Sequence, residues 1–434
     1  MYLQSSSLIG HLHGLLHILP IAMRVLNTAS LEFEEFPDLP DEPYAILSYR
    51  WGAEEVTYKE YRKSRNTVNR RGGYKKVVEF CQVARQRGFQ YAWVDTCCID
   101  KRSSAELAEA INSMYRWYEK SAECYVLLQD YRPDLPSSFE ACEWFSRGWT
   151  LQELLAPRHC VFFTGTWKIV GHKHFWDPQH CPCGKNERTP QGFACGPNLL
   201  PQIATSTNIP EHILSGLTSV RSASVAQRMS WASQRSTTRV EDCAYSLVGL
   251  FEINMPLLYG EGIRAFRRLQ EEIIRTSHDT SIFCFDVEGT TALRNDLAAD
   301  HPRTNYVQLL ADRPSQFLQC NNVRGGIVRI HEPYSITHRG LRMVAAAYTL
   351  LGPIRESHLI YAIPLGCGRE LQGRWETGLG IWEELFLVVR RSHQSRVGFE
   401  RVALQSSTED PSQFEGVSDQ EWALTEQQLF QIRL

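Results

Sequence analysis

The sequence predicts an α/β fold: a mostly parallel sheet with helices on both faces, followed by a helical segment and a β-rich C-terminal region. Three observations predict it. Between residues 23 and 165, short apolar runs of strand length alternate with longer stretches of helical periodicity. Strand–helix–strand repeats of that length form parallel sheets covered on both sides. Beyond Thr280 the pattern changes to short β-rich runs separated by Gly and Pro.

Each element has a local reason. Ala45-Ile46-Leu47-Ser48-Tyr49 follows Pro43 and reads as a short buried strand. From Tyr74, the residues Val77, Val78, Cys81 and Ala84 share one helical face, and Gly88 ends the helix. Tyr91 to Asp95 is the next strand. Ser103 or Ser104 can cap a helix through Lys120, whose apolar stripe is Leu107, Ile111, Met114, Tyr115 and Tyr118. Glu123 to Leu128 is the third strand, and Cys160 to Phe163 the fourth, after a short helix opening at Trp149.

Residues 166–198 are polar, lack periodicity and hold a Cys/His cluster, so they read as an insertion. Residues 199–279 read as a helical segment, with helices expected over Glu211–Leu217, Ser224–Ala232, Asp242–Phe251 and Ala265–Arg275. Residues 280–434 read as the β-rich domain, with runs at Ile282–Phe285, Gly326–Ile330, Leu341–Ala346, Leu359–Pro364 and Leu385–Val389. Residues 1–22 form an N-terminal extension. Its apolar run, Leu8 to Met23, carries three histidines and Pro20, and is too polar and too short for a membrane span.

Composition excludes several classes. The 434 residues are 43% hydrophobic and 22% charged, as in a soluble globular protein. With 46 basic against 49 acidic residues the net charge is −3, which gives no bulk attraction for nucleic acid or an anionic membrane. Thirteen cysteines is an odd number, and most lie in apolar strand or helix contexts. That usage fits reduced thiols in a cytoplasmic protein. No phosphate-binding GxxxxGK[ST] loop is present.

Four constellations could carry chemistry. Ser48-Tyr49-Arg50-Trp51-Gly52 sits where the first strand ends, the edge at which open α/β sheets bind ligands. There Arg50 could meet a phosphate or carboxylate, Trp51 could stack a ring, and Gly52 would let backbone approach. A plain strand-end turn with a surface arginine explains them equally well. Asp95, within Trp93 to Lys101, lies at a neighbouring strand end and could bond a ribose hydroxyl or orient Arg50; capping the next loop is its structural role. Asp100 belongs to the same stretch. Cys97-Cys98 reads as packing, because no base lies nearby.

The third is Arg147-Gly148-Trp149-Thr150-Leu151-Gln152-Glu153. Glu153 follows Trp144 and Trp149 on an apolar helix start. A carboxyl there is paired, protonated or used. A helix-start glutamate bonded to backbone or to Arg147 is the bland alternative. With Asp95 and Arg50 in one cleft, Glu153 suits a sugar or nucleotide ligand, and N-glycosidic cleavage gains from a carboxylate beside an oxocarbenium-like transition state. The fourth is His172, His174, His180, Cys181, Cys183 and Cys195. These could bind a structural zinc, although CxC is a weaker pattern than CxxC, and a Cys/His-rich surface insertion is the alternative. A further stretch, Thr238 to Gly262, reads as structural, docking the helices onto the first domain.

These blocks resemble the HET (heterokaryon incompatibility) domain of filamentous fungi. Tyr44 to Gly52 looks like its first block, Tyr91 to Lys101 with the helix to Ala122 its second, and Arg147 to Glu153 its third. The block 23–165 is identified with that domain. Arg228 to Ala232, Thr237 to Gly249 and Asn254 to Arg268 resemble the segment that follows it in such proteins. The resemblance implies a fungal cytoplasmic protein of the self/non-self recognition, innate-immunity and cell-death class, acting through self-association or a HET-signalling partner. It further implies a flavodoxin-like, TIR-like sheet. Some TIR domains cleave NAD at the nicotinamide–ribose bond with a glutamate in a Trp-Cys-x-x-Glu-Leu context, and Trp149-Thr150-Leu151-Gln152-Glu153-Leu154 is similar in spacing. On that reading Glu153 is the catalytic group, with substrate bound by Ser48, Tyr49, Arg50, Trp51, Gly52, Asp95, Asp100, Arg147 and Trp149. NAD would be the substrate, and no cofactor would be required. Two alternatives stand beside it: a non-enzymatic death-signalling module, and a HET-like enzyme recruited to a small-molecule biosynthetic pathway.

Overall fold

The computed structural model describes residues 23–63, 72–135, 138–174, 196–285 and 309–325. Of the C-terminal region it describes 334–337, 340–345, 348–350, 360–370, 382–391, 399–406, 422–424 and 428–432. The N-terminal run and the ligand candidates His180, Cys181, Cys183 and Cys195 lie outside the described residues.

The first sheet has seven strands. They are β1 (Met23–Asn27), β2 (Phe33–Phe36), β3 (Tyr44–Tyr49), β4 (Tyr91–Trp93), β5 (Glu123–Leu128), β6 (His159–Thr164) and β7 (Ile169–His174), in the spatial order β2-β1-β4-β3-β5-β6-β7. The central four, β4, β3, β5 and β6, are parallel. The edges are closed by antiparallel pairs, β1 on β4 and β7 on β6. Every residue of β3, β5 and β6 is buried, which is what strands covered on both faces require.

Helices supply that cover. They are α1 (Tyr58–Lys63), α2 (Gly72–Gln86), α3 (Asp95–Cys98), α4 (Ser104–Lys120) and α5 (Thr150–Leu155). Phe80 of α2 packs on Tyr125, with ring centroids 5.3 Å apart, and Trp117 of α4 packs on Trp93 at 5.6 Å. Trp93 shares its cross-strand row with Ile46 and Cys124, so Tyr125, one residue on, points to the opposite face. Of the two serines expected to cap α4 it is Ser103 that does so, its hydroxyl accepting from the Glu106 backbone N–H.

Two readings are corrected. Residues 169–174 are the seventh strand, not part of a structureless insertion: β7 needs no alternation of its own, because it is held by pairing along β6. The run Ile282–Phe285 is not a strand: Thr280–Phe283 is a 3₁₀ turn, since the Asp279 carboxylate accepts from the Ser281 N–H at 2.9 Å and winds the chain.

The middle segment is helical, with α6 (Leu200–Thr207), α7 (Glu211–Leu214), α8 (Val225–Ser230), α9 (Asp242–Tyr245) and α10 (Arg264–Thr276). Its N–H groups at Val225 and Ala226 donate to Asp279 and Ser281, which ties α8 to the chain entering the β-rich part. The C-terminal region forms a second sheet of nine strands in which β-pairs are antiparallel except one. Among the described residues no helix is long and apolar enough to cross a membrane. None of the ten described cysteines is in a disulfide, and nine are buried.

Candidate functional site

Ser48 and Tyr49 end β3, and the period of two sends them to opposite faces. Ser48 is fully buried on the α5 side, where its hydroxyl donates to Glu153 Oε2 at 2.5 Å and accepts from Trp144 Nε1 at 2.9 Å. Tyr49 turns to the other side. Its hydroxyl is bonded to Thr96 at 3.0 Å, and the Lys76 ammonium sits 3.5 Å from its ring centroid. Burial pushes the Tyr49 phenol well up, so it stays neutral. The two neighbouring candidates therefore do not share a site.

Glu153 lies in α5, all six residues of which are buried, and its side chain is 8% exposed as a residue. Cys124 donates to its carbonyl, and buried Lys173 of β7 donates to the carbonyls of Leu154 and Pro157 at 2.7 and 2.8 Å. The helix is thus fastened to β5 and β7 at its own backbone. Burial pushes the Glu153 carboxyl up to about 8; the Ser48 bond opposes this, Asp95 adds to it, and Arg235 and Arg147 oppose it. Oε1 has no hydrogen-bond partner among the described residues.

Asp95 opens α3 at the end of β4. Its Oδ2 accepts from Trp51 Nε1 at 2.9 Å and lies 3.5 Å from Lys101 Nζ. The same ammonium stands 3.6 Å from the Trp51 ring centroid. Asp95, Trp51 and Lys101 are thereby one cluster, with Trp51 half exposed. Arg50 is not part of it. It pairs with Glu143 on the surface, where both side chains are more than half exposed. The expectation that Asp95 orients Arg50 gives way to Lys101 in that role. Gly52 donates its N–H to Glu55 at 2.7 Å. Asp100 faces Arg102 in a two-point pair, which holds its carboxyl at about 2 and makes it a loop anchor.

The turn before α5 is built against the middle segment. Gly148 N–H donates to Ser236 O at 2.8 Å, and Ser236 N–H donates to Ser146 O at 2.7 Å. A Cβ on Gly148 would lie 2.4 Å from Thr237 Cγ2, so any larger residue there must displace the Thr237 side chain. Arg147 donates to Thr238 at 3.2 Å, and Trp149 and Tyr259 both hydrogen-bond to Asp242. The segment expected to dock does so here. It brings Arg235, which sequence reasoning missed. Arg235 Nη1 donates to Arg147 O at 3.0 Å and to Thr150 Oγ1 at 2.9 Å, and Nε donates to Trp231 O at 3.1 Å.

His172 and His174 stack on one another at 5.1 Å, and His172 Nδ1 lies 3.0 Å from Gly196 O. Among the described residues no group of three or more His, Cys, Asp or Glu could hold a metal ion.

Residues 44–140 match the family described as Heterokaryon incompatibility protein (HET), and residues 264–348 match a Domain of unknown function (DUF8212). The chain is 41% identical over 257 residues to the Vegetative incompatibility protein HET-E-1 of Podospora anserina. The overlap covers 56% of this chain but 17% of that protein. No solved structure matches the chain. Glu153 and Arg235 lie beyond residues 44–140, next to the matched block in space and not within it. β3, β4 and β5, the strand-end serine and the first two motif blocks lie inside the matched residues, so it is residues 44–140 of the chain that are similar to the HET family.

Proposed function

We propose that this chain acts in fungal heterokaryon incompatibility, and that it does so by cleaving NAD at the nicotinamide–ribose bond at the carboxyl ends of β3 and β4. The observation that carries the reading is the buried Glu153 carboxyl at that edge, bonded by the Ser48 hydroxyl, which Trp144 in turn holds. In the reaction the C1′–N bond breaks, nicotinamide leaves with the electron pair, and water supplies the hydroxyl of ADP-ribose and releases a proton. Positive charge develops on the ribose ring, and a carboxylate in a dry setting stabilises it far more than one in water. The free-state carboxyl is largely protonated at neutral pH. A cationic nicotinamide ring entering beside it favours the ionised form, because an opposite charge within about 4–6 Å lowers a carboxyl pKa. Asp95 and Lys101 would engage the ribose and phosphate, and half-exposed Trp51 would stack a ring.

The experiment incubates the full chain with NAD and measures nicotinamide. Release by the wild-type protein, lost in a folded Glu153→Gln variant, supports the reading. No release at high protein concentration, in dispersed and assembled states alike, refutes it. Killing by Glu153→Gln as strong as by wild type would then favour a non-enzymatic signalling module, and a bound metabolite that is not a nucleotide would favour a biosynthetic enzyme.

A further inference from the structure

We propose that Arg235, contributed by the helical segment and not by the matched domain, is a positioning residue of the Glu153 site: it is the counter-charge of the Glu153 carboxylate and pins the turn that presents it. The inference rests on Glu153 being at the working site.

Three observations carry it. Nη1 and Nε are committed to Arg147 O, Thr150 Oγ1 and Trp231 O, so the guanidinium is locked against the start of α5. Nη2 is buried with no hydrogen-bond partner among the described residues. A buried guanidinium nitrogen left uncommitted is costly unless another state of the molecule uses it. Glu153 and Arg235 also feel one another, each favouring the other's charged form, although they are not in ion-pair contact. A guanidinium does not give up its proton in a protein, so this positive charge is permanent. The other groups that act on or feel Glu153 are Asp95 of α3, Arg147 of the turn, Tyr118 of α4 and Cys124 of β5. Tyr118 and Cys124 are buried and neutral, and Asp95 is of the wrong sign. That leaves Arg235 and Arg147 to favour the carboxylate, and Arg147 is spent on Thr238.

A purely structural staple is the competing account. It is separated by a readout that a staple does not move. Carboxyl infrared spectra of the full chain, labelled with ¹³C-glutamate and assigned by the band that Glu153→Gln removes, follow Glu153 through its titration. The wild-type midpoint is expected near 8. Arg235→Gln should raise it by about one pH unit or more, the usual effect of losing a nearby opposite charge, while Arg235→Lys keeps it close to wild type. An unchanged midpoint in Arg235→Gln overturns the proposal. Should Arg235→Gln unfold at pH 8.5, adding Glu153→Gln must restore folding, because it removes the stranded carboxylate; failure to restore it is equally fatal. Neither measurement needs turnover, so a lack of nicotinamide release refutes the NAD reading without touching this one.

Discussion

Replacing Glu153 by glutamine should make the protein more stable, and only at neutral to alkaline pH. The carboxyl has an ordinary value of 4.5 and sits at about 8 in the fold, chiefly because burial disfavours its charge. The folded state therefore holds the proton more tightly than the unfolded chain. Stability from this group is complete below pH 4.5 and is lost as pH rises to about 8. At about 1.4 kcal/mol per pH unit the gap amounts to about 5 kcal/mol as an upper bound, and about 3 kcal/mol is a safer expectation for a group still bonded to Ser48. Glutamine is neutral throughout and keeps an oxygen to accept the Ser48 hydroxyl. Urea unfolding followed by fluorescence of the 11 tryptophans, at pH 5, 6.5 and 8.5, reads the difference between the two proteins directly. The advantage of Glu153→Gln should grow by about 3 kcal/mol between pH 5 and pH 8.5. Parallel curves for the two proteins would refute the argument, because all other titrating groups cancel in the difference.

Other expectations follow from the same geometry. Burial raises the Glu123 carboxyl, but hydrogen bonds from His159 and Arg87 outweigh it and hold it at about 2. Its contribution is present above pH 4.5 and disappears as pH falls through 2, by about 3 kcal/mol; Glu123→Gln should abolish that acid limb and cost about 3–5 kcal/mol at pH 7 by stranding Arg87, as urea midpoints will show. Gly148→Ala should destabilise by about 1–3 kcal/mol because its Cβ meets Thr237 Cγ2, and Thr237→Ser, which removes that methyl, should restore part of the loss in thermal melts. Asp95→Asn should change stability by less than about 1 kcal/mol, since its partners Trp51 and Lys101 are partly exposed, yet lower nicotinamide release about tenfold or more. The acid limb of that release should follow Glu153 titration, rising as pH increases.

Much of the fold was legible because the relevant signals are local. Apolar runs bracketed by turns gave β3, β5 and β6, and a serine cap with a 3.6-residue stripe gave α4, within a residue or two of their observed ends. Edge strands were not legible. β1, β2 and β7 owe their form to pairing with a neighbour rather than to their own patterns. The site divides in the same way. Ser48, Asp95 and Glu153 could be picked out as polar groups at strand ends or in apolar surroundings. Which of their neighbours join them could not be.

By itself the sequence determined the parallel sheet, the edge at which polar residues gather, and the three blocks that resemble a HET domain, because each is written in contiguous residues. Only the tertiary structure decided that Ser48, not Arg50, meets Glu153, that Lys101 completes the Asp95 cluster, and that Arg235 reaches the turn before α5 from 85 residues away. The reason is physical. Face, partner and charge state are properties of packing, and packing joins residues that the chain keeps far apart.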